Sequence, residues 1–363
     1  MKIVAFHIYN DFSGSPKVLS MVLKGLLNKG YDIDLLTSPS GGVLDSLEEE
    51  PCVRIYRHHY KFGKNPILQL LRYLYTQLYA FFFVFKYIGK KDVVLYLNTL
   101  MPLGAAVAGK LTRKRVVYHY HENANVKGVF YKMLAYFMQK LADEIICVSS
   151  YQRSFLFRKE NVCVIPNALP LVFENGCRKI AAVPRKRDSV LMLSSLKLYK
   201  GVVEFIELAS SLPQYKFELV INDTNDNIKS FIDSNSLKTP VNLTIWDRQA
   251  NVLPFYERNS LVVNLSKKEH FVETFGLTAL EAMSAGLPVI VPPVGGIAEM
   301  VVDGYNGYKI DVENFDCLVK SVNYILSDSQ LYETMRNNAR DYASQYLNCC
   351  MIDNVENVIF DKK

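Results

Sequence analysis

Short apolar runs alternate with longer stretches whose apolar residues recur three and four apart along most of this chain. "KIVAFHIY" reads as a buried strand, and "KVLSMVLKGLLNKG" as a helix closing at Gly30. "YDIDLLTS", "DVVLYLN", "RVVYHYH" and "DEIICVS" continue the strands. The helix-like "PLGAAVAGKLT" and a helix from about Ser149 to Arg158 fall between or after them. After "NALPLVFENG", where Pro170 and Gly176 interrupt the pattern, the same rhythm restarts with "SVLMLSSL" and "GVVEFIELASSLP". The strands "KFELVIND", "VNLTIW", "SLVVNLS" and "PVIVPP" follow, with a last helix over about 314–327. Strand and helix taking turns imply a parallel, doubly wound sheet in each half. The expected division is 1–170, 171–345, and a C-terminal helix over 346–363 packing back toward the first domain.

One segment breaks the rhythm. Asn65 to Lys91, "NPILQLLRYLYTQLYAFFFVFKYIGKK", predicts a 23-residue helix over 66–88. Asn65 is suited to the N-cap, Pro66 to the first turn and Gly89 to the C-cap. Arg72 and Lys86 leave no charge-free run of 18 residues, which argues against a transmembrane span. Two readings stay open: a helix packed under the first sheet, or an interfacial helix with Tyr, Phe, Lys and Arg at the lipid headgroups. The basic, aromatic "YRHHYKFGK" just before it favours the membrane-facing reading for at least part of the segment.

Composition sharpens this picture through charge. The chain has 363 residues and a net charge of +6, enough for two cores. Residues 1–170 carry 22 Lys and Arg against 12 Asp and Glu, while 171–363 carry 20 against 24. The basic half is expected to face an anionic membrane surface, phosphates or an acidic partner. No nucleic-acid-binding module accompanies that charge. The seven cysteines contain no C-x-x-C, so neither a disulfide framework nor a zinc site is indicated, and reduced cytosolic thiols are expected. The start, "MKIVAFHIYNDF", has too short an apolar run before Asp11 to read as a signal peptide.

Chemistry concentrates in "VETFGLTALEAMSAGLPVIVPPVGGIAEMVVDGYNG", from Val272. Thr274 stands where an N-cap is expected, and a helix start offers free N–H groups and a positive dipole to a phosphate. Gly276 lets an anion approach the backbone. Glu273 precedes this helix and Glu281 lies within it, so two carboxylates flank a diphosphate-sized space. A sugar, a diphosphate and a ribose match that arrangement.

This stretch, with its E-x(7)-E pair, resembles the signature of the retaining glycosyltransferases of family 4, the glycosyl transferases group 1. "VIPNALP" and "LKLYKG" precede it in the family's order, so the resemblance spans nearly the whole chain. It implies an α/β GT-B enzyme with two Rossmann-like doubly wound domains facing each other across a cleft. It implies a nucleotide-sugar co-substrate, UDP- or GDP-linked, with no metal and no other cofactor. Glu273 inherits contact with hydroxyls of the transferred sugar, and Glu281 with the ribose. Backbone amides of Phe275, Gly276 and Leu277, beside Thr274, inherit the distal phosphate. Lys200 inherits neutralisation of the diphosphate leaving group. The family commonly places an Arg where Ser195 stands, and Lys197, on the same strand face by alternation, is the candidate substitute. Trp246 falls where the family contacts the nucleobase, with core packing as the alternative.

In the first half, Gly14 of "NDFSGSPKVL" corresponds to the family's glycine-rich turn near donor phosphates and acceptor, and Lys17 adds charge. His121 and Glu122 match the family's His and acidic residue at a strand end, where open α/β sheets bind ligands. His121 is expected to contact the transferred sugar or steer the acceptor hydroxyl, with His119 on the same face as runner-up. His121, Glu273 and Lys200 form the expected catalytic set. The implied reaction is a front-face displacement in which the leaving phosphate takes the acceptor's proton, with domain closure excluding water. The expected acceptor is a lipid-linked oligosaccharide, at the cytoplasmic face of a plasma membrane, in surface polysaccharide synthesis. The alternative is a non-catalytic nucleotide-binding or scaffold subunit of the same fold. A sugar-nucleotide 2-epimerase lacks the two-glutamate layout.

Overall fold

The computed structural model describes residues 1–61, 63 and 65–360. Phe62 and Lys64 of the basic aromatic stretch, and positions 361–363 of the expected C-terminal helix segment, lie outside the described residues. The chain forms two compact units: Met1–Asn167 together with the chain from Cys349 on, and Ala168–Asn348.

In unit 1 the strands are β1 (Lys2–Phe6), β2 (Asp32–Thr37), β3 (Val53–Arg57), β4 (Val93–Asn98), β5 (Arg115–Tyr120), β6 (Glu144–Cys147) and β7 (Val162–Val164). They pair in parallel in the order β3-β2-β1-β4-β5-β6-β7. The chain winds outward from β1 in one direction, then returns to β4 beside it and winds the other way. The strand order therefore reverses between β1 and β4, and at such a switch point loops part to leave a crevice at the strands' C-terminal edge. Helices α1 (Gly14–Asn28), α2 (Pro66–Val84), α3 (Leu103–Leu111), α4 (Val129–Leu141) and the short α5 (Ser150–Ser154) connect the strands. Ala80 and Val84 of α2, Ala105 and Ala108 of α3, and Leu134 and Met138 of α4 share one core with Val4, Leu95, Leu97 and Val116 of the sheet.

Unit 2 repeats the plan. Its strands are β8 (Ser189–Ser194), β9 (Lys216–Ile221), β10 (Leu243–Trp246), β11 (Leu261–Val263), β12 (Val289–Val291) and β13 (Gly307–Lys309), parallel in the order β10-β9-β8-β11-β12-β13. Its switch point lies between β8 and β11. Helices α6 (Leu171–Ala181), α7 (Val202–Ser211), α8 (Asn225–Ser234), α9 (Leu253–Arg258), α10 (Leu277–Ser284), α11 (Gly296–Glu299), α12 (Phe315–Ser327) and α13 (Ser329–Ala343) cover it. Helix α14 (Asn348–Phe360) packs on unit 1. Its Glu356 accepts from Lys29 (2.5 Å) and Tyr31 (2.6 Å), Asp353 pairs with Lys29, and Phe360 stacks on Tyr31.

Several sequence expectations change. The long helix ends at Val84 and tightens into a 3-10 turn at Phe85–Tyr87. Its start is as expected, with Asn65 Oδ1 accepting the N–H groups of Ile67 (2.9 Å) and Leu68 (3.2 Å). The helix expected over 149–158 shortens to α5. The interruption expected at Gly176 is instead the middle of α6. A Cβ there would lie 2.5 Å from the Leu253 side chain, so this glycine permits close approach of α6 to α9. Helix α10 begins at Leu277, capped by Gly276 in the left-handed conformation (φ 95°) rather than by Thr274. Helix α4, not read from the sequence, carries "VFYKMLAYFMQKL".

Candidate active site

In unit 2 the C-terminal edge at the β8/β11 switch point carries an ion pair. Lys200 follows β8 in a 3-10 turn, and Glu273 follows β11. Lys200 Nζ lies 2.5 Å from Glu273 Oε1, with side chains only 16% and 21% exposed. The ammonium also sits 3.5 Å above the centre of the Phe271 ring, against which Tyr199 stacks. Both backbones are held by glycines. Gly201 takes φ 78° against Leu265, whose carbonyl oxygen would be 2.3 Å from an added Cβ. Gly295 takes φ 101° under the Glu273 carbonyl, and the Gly296 N–H donates to that carbonyl at 2.8 Å. Gly276 is fixed in the same way, since an added Cβ would meet Ile297 at 2.5 Å. Glu273 and the first N–H groups of α10 are thus placed together beside Lys200: one cation, one carboxylate and a helix start, a set suited to an oxyanion next to a hydroxylated ring.

Glu281 is the fifth residue of α10 and accepts from the buried Tyr256 hydroxyl at 2.5 Å. Burial, reinforced by Glu281, pushes the Tyr256 phenol well above its usual range, so it remains a donor. Helix α9 presents Tyr256 to Glu281 and its neighbour Phe255 to Trp246, ring centres 5.6 Å apart. The indole N–H of Trp246 donates to Glu218 at 3.0 Å, and Arg258 and Asn259 bind the same carboxylate. Trp246 keeps about a third of its surface exposed at the sheet edge. The same-face argument for Lys197 fails, because β8 ends at Ser194. Ser195 and Lys197 lie in a turn closed by the Lys197 N–H on the Ser195 carbonyl (2.8 Å), and exposed Lys197 helps hold the Asp223 carboxyl below its usual range, behind the Asn227 amide.

Unit 1 builds its β1/β4 switch point from neutral groups. Asn98, fully buried at the end of β4, reaches His7 Nδ1 (3.0 Å), the Ser15 carbonyl (3.2 Å) and His121 Nε2 (2.9 Å). A carbonyl only accepts, so the Asn98 nitrogen faces Ser15 and its oxygen faces His121. His121 therefore donates Nε2–H, and His7 accepts at Nδ1. His119 is fully buried, bonded through Nδ1 to Tyr96 OH (2.6 Å), and its ring lies 4.3 Å from that of His121. It backs His121 and has no surface to offer a ligand. Burial lowers the pKa of His7 to about 4 and of His119 to about 3, and moves His121 well below its usual value. Buried Glu122 accepts the Leu100 N–H through both oxygens (3.1 and 3.2 Å), and desolvation holds its carboxyl above the usual range.

Gly14 is the exposed first residue of α1 and is not among the glycines with φ > 0; Lys17 is exposed one turn on. The preceding turn is closed by Asp11, which accepts from the Ser13 N–H (2.9 Å) and hydroxyl (2.5 Å). Asn98, His7 and Tyr256 were not singled out from the sequence. Asn98 and His7 had one legible signal: each sits at the end of an apolar strand run, the position that faces a switch point. Among the described residues no group of three or more His, Cys, Asp and Glu side chains could hold a metal ion.

Two parallel, doubly wound units, each with polar groups bridging its switch point, define the GT-B class of fold. Comparison with known proteins agrees. The family model described as Glycosyltransferase Family 4 matches residues 12–172, and the model described as Glycosyl transferases group 1 matches residues 177–342. An uncharacterized glycosyltransferase of Haemophilus influenzae is 22% identical over 364 residues, spanning 95% of this chain and 96% of its own. Among solved structures, Anabaena Alr3699/HepE in complex with UDP-glucose has a TM-score of 0.78 at 21% identity over all of both chains. WaaG, a glycosyltransferase involved in lipopolysaccharide biosynthesis, has a TM-score of 0.70 at 16% identity over 99% of each. The chain belongs to the glycosyl transferases group 1 family and is a glycosyltransferase with the GT-B fold.

Proposed function

We propose that this protein transfers a hexose or related sugar, with retention and without a metal, from a nucleoside diphosphate to a hydroxyl of a lipid-linked oligosaccharide. The observation that carries the reading is the Lys200–Glu273 pair beside the glycine-capped start of α10. In this reading Glu273 holds hydroxyls of the transferred sugar and Lys200 turns to the diphosphate. The N–H groups around Gly276 and Leu277 receive the distal phosphate, and Glu281, steadied by Tyr256, holds the ribose. The bond between the anomeric carbon and the phosphate oxygen breaks as the acceptor oxygen bonds to the same face of that carbon. The acceptor's proton passes to the departing diphosphate, whose growing charge Lys200 and the helix start stabilise. His121 orients the acceptor hydroxyl. UDP is the first donor to try, since HepE was solved with UDP-glucose.

A peripheral membrane setting, on the cytoplasmic face and in surface polysaccharide synthesis, takes its support from unit 1. By length and composition alone, Pro66–Tyr87 is apolar enough to cross a membrane, with mean hydropathy 1.2. Its inner face is committed to the core through Ala80, Val84 and Tyr87. Its outer face exposes Ile67, Leu71, Leu74, Leu78 and Phe82, and α4 exposes Val129, Met133, Tyr136 and Phe137. Residues 65–91, 123–142 and 149–159 together contain ten Lys and Arg and no carboxylate. Exposed apolar side chains on segments whose only charged residues are cations suit an anionic bilayer interface.

The test is thermal stabilisation by UDP, GDP, ADP and CMP and their sugar conjugates. A ligand that binds only the folded state raises its melting temperature. A shift with one diphosphate, followed by sugar transfer that fails in Glu273→Ala, supports the transferase. Nucleotide binding without turnover favours the non-catalytic subunit, for which Ser195 at the usual Arg position is the motivating residue.

A further inference from the structure

A pocket of about 370 Å³ opens at the β1/β4 switch point of unit 1, within the range of small-molecule sites. Its walls are aromatic. Tyr9 and Tyr60 meet edge to face (6.4 Å between ring centres). Tyr73 of α2, in one buried cluster with Tyr60, meets Phe130 of α4 edge to face (5.5 Å), and Tyr131 also lines the pocket. Its polar lining is equally selective. Among the described residues it contains the carboxylates of Asp11 and Glu122, the Gln69 amide, His7, Ser13, Ser15 and Thr99, and no lysine or arginine. That absence is unexpected in a half of the chain with ten more cations than carboxylates. Lys127, Lys132, Lys86 and Lys90 lie on the neighbouring helices and loops, outside the described lining, and of these Lys127 opposes the desolvation that raises the Glu122 carboxyl.

Thr99 supplies the second observation. It follows β4 with φ 76°, a conformation that a β-branched residue adopts only under strain. Its N–H donates to the His119 carbonyl at 2.9 Å, and its side chain accepts from the Met101 N–H at 3.4 Å. The flanking structure holds it there, and held strain of this kind gathers at ligand sites.

Aromatic rings present flat apolar faces to the C–H faces of a sugar, while hydroxyls and carboxylates around them take up its hydroxyl groups. A phosphate or uronate would be desolvated beside two carboxylates, with no lysine or arginine among the described lining residues to meet it. From this geometry we infer that the pocket receives the terminal ring of a neutral glycan, so that the acceptor presents an uncharged sugar and not a phosphorylated or acidic one. The inference rests on the transferase reading and names the acceptor class of that reaction. Gln69, Leu70 and Tyr73 of α2 and Phe130 and Tyr131 of α4 line it, on the two helices whose outer faces are apolar.

The experiment is saturation-transfer difference NMR on the full chain with UDP present. The probes are methyl α-glucoside, lactose and chitobiose as neutral sugars, against glucuronic acid and glucose 6-phosphate. At least one neutral sugar is expected to bind at least tenfold more tightly than either acidic one. Tyr131→Ala is expected to weaken it at least tenfold. Gln69→Lys, on a half-exposed helical position, is expected to shift preference toward the acidic probes by at least tenfold with an unchanged melting temperature. Equal or tighter binding of an acidic probe to the unmodified protein overturns the inference, as does failure of every neutral probe or indifference to both substitutions. UDP binding and UDP-glucose consumption are read on the same samples. Neutral-sugar binding with neither binding nor consumption of any UDP, GDP, ADP or CMP donor sinks the transferase reading alone, and turnover without the neutral preference sinks the pocket assignment alone.

Discussion

The two switch points of this molecule share a topology and differ in chemistry. In unit 2 the β8/β11 crevice is bridged by a charged pair, Lys200 and Glu273, set on a frame of glycines with φ > 0. In unit 1 the β1/β4 crevice is bridged by neutral groups, His7, Asn98 and His121, set among tyrosines. The difference follows from what each edge can solvate. Half-buried opposite charges support each other and leave a cation ready for a phosphate. Histidines enclosed by sheet and helix lose their protons instead, and leave a surface suited to uncharged hydroxyls. The shared topology thus places both crevices, and the local dielectric and charge set the chemistry each one suits.

The largest expected break in this comparison is made with pH. His7 and His58 have folded pKa values of about 4, lowered by burial, and His119 one of about 3. Unfolding lets them take up protons below about 6.5, so unit 1 loses stability as pH falls from 6.5 toward 4. At about 1.4 kcal/mol per pKa unit, His7 and His58 each contribute roughly 3 kcal/mol to that loss. Glu122, held above the usual carboxylate range, acts in the opposite sense and offsets part of it. Unit 2 has one histidine, the exposed His270. Since Trp246, the only tryptophan, lies in unit 2, its fluorescence is expected to persist to lower pH than the tyrosine near-ultraviolet signal. Coincident transitions would mean that the two units do not differ in this respect.

Next in size is the charged edge itself. Lys200→Ala is expected to lower sugar transfer about a hundredfold, the effect of losing one preorganised donor to an oxyanion. Near-normal turnover in a folded variant would remove Lys200 from the phosphate role. The glycine frame gives a matched pair. Gly276→Ala, at φ 95° and with Ile297 in the way, is expected to cost unit 2 about 3 kcal/mol, adding left-handed strain to overpacking. Gly14→Ala, at an exposed position outside the φ > 0 set, is expected to leave stability within about 0.5 kcal/mol, because surface changes usually do. Urea denaturation followed by Trp246 fluorescence reads the first, and by circular dichroism the second. A smaller effect than that of Lys200→Ala or Gly276→Ala is expected from Tyr256→Phe, which removes one hydrogen bond to Glu281. A loss of about 1 kcal/mol is roughly fivefold in nucleotide affinity, measured by calorimetry. An unchanged affinity would detach Glu281 from the ribose.

Much of the fold was legible in the chain. Short, nearly continuous apolar runs alternating with period-3.6 stretches specify parallel strands and crossover helices before any contact is known, because a sheet buried on both faces needs apolar residues on both. Asn65 and Pro66 marked the start of the long helix for local reasons of capping and φ, whereas Gly89 did not mark its end, since the helix closes at Val84 with Phe85 as its C-cap. The family signature placed Lys200, Glu273 and Glu281. The misread points were those set by contacts far apart in sequence. Gly176 looked like a break and is a packing glycine against Leu253. Thr274 had the right side chain for a cap, but Gly276, clasped by Ile297, starts α10 two residues later.

The sequence by itself determined the two doubly wound sheets, the basic first half and the donor-side motif, because periodicity, composition and spacing are local properties of a chain. Only the tertiary structure decided that Asn98 joins His7 to His121, that Lys200 meets Glu273, and that five aromatic rings from separated segments line one pocket whose described lining holds no lysine or arginine. Those facts depend on which strand ends become neighbours when the winding reverses, and on burial that turns a histidine neutral. Neither is encoded at any single position.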